Sequence, residues 1–129
     1  MKAAYAPQTA AATMARIDAG VDPWIAYRDF LEDWTYIPAA RASLADTIPM
    51  TTVDEHRRWI MLLAASIEML CDRDGLDAPA WIMDPALRVA EPWYLYDGNG
   101  RMREWLHETT PAPFASRNIW SGNRLLNRV

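Results

Sequence analysis

Cysteine is almost missing from this chain. Cys71 is the sole one, which excludes an internal disulfide and any zinc centre built from cysteine pairs. Histidine is nearly as scarce. His56 and His107 do not supply the Glu-x-x-His pairs of a helical di-metal site, so neither metal nor cofactor is expected. Long apolar runs are also lacking, since the longest, Trp59–Ala65, falls far short of the roughly 20 residues a membrane span requires. The first residues carry Lys2 and alanines but no continuous apolar stretch of the kind a secretory signal has, and a reducing cytoplasm is the expected location. Basic charge is not in excess: the formal net charge of −4 argues against autonomous nucleic-acid binding. No glycine-rich phosphate loop, nucleophile elbow or Ser/His/Asp set is present.

Tryptophan, by contrast, is abundant, with seven in 129 residues from Trp24 to Trp120. Each is a large apolar body with an indole N–H that needs a partner when buried, so the chain calls for a well-packed interior, an adhesive surface, or both. Core burial is expected for about five of the seven. The length suits one helical domain over residues 1–129, with residues 1–8 frayed ahead of the first helix. Charge is uneven along it. Eight acids fall between Asp18 and Glu55, whereas after Glu108 there are only Arg117, Arg124 and Arg128.

The periodicity predicts an all-α fold: a compact bundle with a long central helix and a proline-rich C-terminal third of short helices and loops. Thr9–Ala19 reads as a helix stopped by Gly20. Asp22-Pro23 is an N-cap followed by proline at the first helical position, and opens a helix to Tyr36 with Trp24, Tyr27, Phe30, Leu31 and Trp34 on one side. Asp29, Glu32 and Asp33 lie mostly across from them as an acidic face. Pro38–Ala45 forms a short helix. Thr52 to Glu55 has the form of a capping box for the central helix Val53–Arg73, which Gly75 closes and in which Cys71 is a small buried hydrophobe. Farther on, Asp84-Pro85 repeats the cap-and-proline device for two helical turns, and Tyr94–Tyr96 is extended. Arg101–Glu108 is helical with Met102, Trp105 and Leu106 inward, and Asn123–Arg128 is a last helix capped by Ser121.

Two functional readings come from single residues. Arg101 with His107 resembles the Arg/His pair of HEPN-type ribonucleases, in which the histidine moves protons and the arginine holds phosphate, although Met102 stands where that motif carries a polar residue. Arg117, Arg124 and Arg128 suit an accessory subunit of a DNA-binding regulator. His56, beside Arg57 and Arg58, is expected at the solvent. Trp120, next to Arg117 and Asn118, is the tryptophan best placed for partner contact.

The motif order Gly20-Val21-Asp22-Pro23-Trp24, Asp29-Phe30-Leu31-Glu32-Asp33-Trp34, Pro79-Ala80-Trp81, Glu91-Pro92-Trp93 and Thr110-Pro111 with Phe114 and Arg117-Asn118-Ile119 resembles a family of small tryptophan-rich proteins of actinobacterial type. Trp120 departs mildly from that pattern, which more usually carries a smaller aromatic there. The resemblance implies genes set beside helix-turn-helix regulators or nucleotidyltransferase-like toxins, hence an antitoxin-like, non-enzymatic interaction protein, and brings no catalytic residues with it. The expected contacts to such a toxin are Asp29, Glu32, Asp33, Phe114, Arg117, Asn118 and Trp120. A homo-oligomer is compatible with the same surfaces.

Overall fold

The computed structural model describes residues 5–96 and 98–127. They divide into two compact units, one ending at Arg57 and the other beginning at Arg58. The all-α expectation holds: among the described residues there are six α-helices, and the sole sheet is a pair of two-residue strands.

The first unit holds α1 (Ala10–Asp18), α2 (Pro23–Tyr36) and α3 (Arg41–Asp46), with α1 packed on both others. Thr9 caps α1 by accepting from the Ala12 N–H at 3.0 Å. Gly20, at φ +103, ends it in the left-handed turn that only glycine adopts cheaply. Asp22 accepts from the Trp24 N–H at 2.8 Å and Pro23 occupies the first helical position, as the sequence implies. Phe30 and Trp34 are fully buried on α2. Trp24 is 42 % exposed, edge-on to Tyr27, because it sits in the first turn where the buried stripe has not begun.

Residues 5–8, expected to be frayed, are tied down; residues 1–4 of that expectation lie outside the described residues. Asp33 accepts from the Tyr5 hydroxyl at 2.7 Å and from the Gln8 N–H at 2.6 Å. The Gln8 amide donates to Thr13 Oγ1 at 2.8 Å and to the Ala26 carbonyl at 2.7 Å. Arg16 bonds both Gln8 Oε1 and Asp29. A buried carboxylate is costly unless paired, and this network supplies the partners. The bond to Asp33, with some desolvation, holds the Tyr5 hydroxyl above its ordinary pKa.

The second unit is built on α4 (Arg57–Asp74), whose first residue still belongs to the first unit. The expected capping box is absent. A 3-10 turn, Asp54–His56, precedes α4 without a side-chain cap, and it is Thr51, not Thr52, whose hydroxyl accepts from the Val53 N–H at 3.1 Å. From Met61 to Ile67 every residue of α4 is buried, the signature of a helix covered on all sides. Cys71 is buried as expected. Gly75, at φ +71, closes the helix.

Beyond α4 the prolines keep the chain in short pieces. Asp84-Pro85 makes a single turn, with the Ala86 N–H donating to Asp84 Oδ1 at 2.9 Å, and not the expected two-turn helix. β1 (Trp93–Tyr94) runs parallel to β2 (Ile119–Trp120). Bonds from the Val89 N–H to the Arg117 carbonyl and from the Leu95 N–H to the Trp120 carbonyl prolong the ladder on either side. Asn99 caps α5 (Gly100–Thr109), and α6 (Ala112–Ala115) follows Pro111. The last helix expected over residues 123–128 reduces to one turn at residues 125–127, and Arg128 lies outside the described residues.

Of the seven tryptophans only Trp34 and Trp59 are buried, fewer than composition suggests. Trp93 packs edge-on to Trp59 at 5.1 Å and carries the Arg58 guanidinium over its face at 4.5 Å, so its ring is half in and half out. Among the described residues no buried side-chain nitrogen or oxygen lacks a hydrogen-bond partner.

Candidate functional site

The parallel register sets Tyr94 beside Trp120, and parallel neighbours in register project to the same face of a sheet. On α5, Arg103 and His107 are four residues apart and therefore share one helix face. The structure brings these two faces together. The His107 ring packs against Trp120 with centroids 4.0 Å apart and planes tilted by 41°, and its Nε2 shares a 2.9 Å hydrogen bond with the Tyr94 hydroxyl. Arg103 lies over the Tyr94 ring at 4.5 Å. The Trp120 indole N–H is occupied by Asn118 Oδ1 at 3.1 Å. Trp120 and Tyr94 are partly exposed and both Arg103 and His107 reach the surface. The result is a partly buried aromatic plate whose three rings are tilted by 41° and 66° to one another, with a guanidinium over Tyr94.

Asn118 sets the geometry of this plate. It is the one described non-glycine residue at positive φ, +64, a conformation asparagine tolerates better than most. Its amide donates to the Val89 carbonyl at 3.0 Å while its oxygen holds Trp120. Strained, bonded and buried, it orients the strand for its aromatic neighbour.

The residues expected from sequence to touch a partner are therefore placed unevenly. Phe114, Arg117 and Asn118 are buried and cannot present a surface. Arg117 donates to the Pro113 carbonyl at 2.6 Å, the Ile82 carbonyl at 2.7 Å and Glu68 Oε1 at 3.0 Å, which makes it an internal clasp. Asp33 is buried in the Tyr5–Gln8 network and Asp29 is paired with Arg16, so Glu32 alone of the acidic face is open. Trp120 is partly exposed. Sequence reasoning missed Arg103 and Tyr94. The helical spacing of Arg103 and His107 was readable; the pairing of two distant strands was not.

Arg101 and His107 are both exposed on α5. Six residues of α-helix separate side chains by about 120° around the axis and about 9 Å along it, so the pair does not face a common substrate atom. His56 is not simply solvated. Its Nδ1 donates to Asp18 Oδ1 at 2.7 Å, and the Thr51 hydroxyl donates to the same oxygen at 2.7 Å. These two bonds, His56 first, hold the Asp18 carboxyl below the usual carboxylate range. Thr51 bonds the carboxylate and not the imidazole, so the trio is a fastening for the loop and not a nucleophile–base–acid relay. Among the described residues no cluster of three or more His, Cys, Asp or Glu side chains is disposed to hold a metal, and no helix is long and apolar enough to cross a membrane. No family model, curated protein or solved structure matches the chain.

Proposed function

We propose that this chain is a non-enzymatic protein-interaction module of the reducing cytoplasm, most specifically an antitoxin-like protein that binds and neutralises a toxin encoded nearby. The observation that carries the reading is the Tyr94–Arg103–His107–Trp120 plate. Tyr, Trp and Arg are the side chains that most often dominate interface energetics, and here they are held by neighbours in advance, so little conformational freedom remains to be lost on binding. The antitoxin refinement comes from the resemblance of the motif order to the tryptophan-rich family.

The ribonuclease reading draws no support from Arg101 and His107, given their angular separation. The regulator reading loses Arg117, whose charge is spent on Glu68. Co-expression with the products of adjacent genes, followed by co-purification and a growth assay, tests the proposal. A stoichiometric complex that relieves growth arrest is expected, and Trp120→Ala or Arg103→Ala should weaken it by about 2 kcal/mol, roughly thirtyfold. A monodisperse chain that neither binds those products nor restores growth overturns it, as does RNA cleavage that vanishes in His107→Ala.

A further inference from the structure

We infer that the cleft beside the C-terminal turns of α4 is a binding site for a small organic cation with an apolar body. Its volume of about 570 Å³ suits a compact ligand. Buried Leu70 and Phe114 and half-buried Leu125 and Leu126 give it an apolar lining. Among the described residues its charges do not cancel. Glu68 is paired with Arg117 at 3.0 Å and Arg73 with Asp74 at 2.9 Å. Asp72, exposed and one turn beyond Glu68, has no cation paired with it among the described residues.

A second field acts in the same sense. The last turns of α4 carry the partial negative charge of the helix C-terminus, which favours cations within about one turn. An anion placed in the cleft would meet the Asp72 carboxylate and that dipole together, since Arg73, which also lines it, is already engaged by Asp74, and a hydrocarbon without charge would leave Asp72 unanswered. An aryl- or alkyl-ammonium satisfies both the lining and the charge. The inference does not depend on the partner plate, which lies on α5 and the strands.

The test is a titration of the full-length, 15N-labelled protein with 2-phenylethylammonium, 2-phenylethanol and 3-phenylpropanoate. The ammonium should give saturable amide shifts confined to residues 68–73 and 122–126 and bind about threefold to fivefold more tightly than the alcohol, the yield of a partly exposed ion pair. The carboxylate should bind more weakly than the alcohol. Asp72→Asn, a surface change that should leave the remaining spectrum in place, should erase the preference for ammonium over alcohol. The inference is overturned by an absence of saturable shifts, by shifts that map elsewhere, by a carboxylate that matches the ammonium, or by an Asp72→Asn protein that keeps the preference.

Discussion

Asp18 shows how one side chain gives a loop its pH dependence. Bonded by His56 and Thr51, its carboxyl titrates lower in the folded state than in the unfolded chain. The folded state therefore binds its proton less readily. The stabilisation is present above the unfolded value of about 3.9 and is lost as pH falls through it toward the lower folded one. Asp18→Asn should lower Tm at neutral pH and flatten the decline of Tm below about pH 5; parallel Tm–pH curves for wild type and variant would show that the fastening carries no weight. Asn118 makes a second test. Asn118→Ala loses two hydrogen bonds and strains a left-handed backbone, whereas Asn118→Gly loses only the bonds. The alanine variant should be the less stable by about 1 kcal/mol in urea denaturation. Neither role was legible in the sequence, because a turn asparagine and an internal one look alike until their partners are known.

At the scale of elements, the punctuation was plain and the connections were not. Thr9, Asp22-Pro23, Gly20 and Gly75 open and close helices where their chemistry requires, since caps and positive-φ positions are local decisions. The last expected helix is a single turn at residues 125–127 among the described residues, because so short a segment offsets its nucleation only where tertiary packing adds to it. Arg117 read as an exposed tail cation because its acceptor Glu68 lies on a helix far back in the chain, and nothing local announces that bond. It ties α4 to α6 and to the 3-10 turn Ala80–Met83 through one guanidinium. Arg117→Met should cost about 3 kcal/mol, since it strands Glu68 and two carbonyls. Adding Glu68→Gln should recover part of that loss, and two additive penalties in equilibrium unfolding would refute the coupling.

At the scale of the whole molecule, a net charge of −4 and a pI near 5.1 predict how the chain meets a basic partner. Its association rate should drop by about tenfold or more between low and high salt. Trp120→Ala should leave that salt response intact and raise the dissociation rate instead; stopped-flow mixing separates the two, and an effect of Trp120→Ala confined to association would contradict the plate as the anchoring contact. The surplus of tryptophan, which on composition alone looked like core material, is largely spent on half-exposed rings, two of which, Trp93 and Trp105, carry an arginine over the face. Among the described residues every buried side-chain nitrogen and oxygen is matched. Swapping one hydrocarbon for another of like volume disturbs a few neighbours, but deleting a single member of the Gln8–Asp33 or Glu68–Arg117 sets orphans every group it served. Mutational tolerance in this protein should therefore track connectivity more closely than depth.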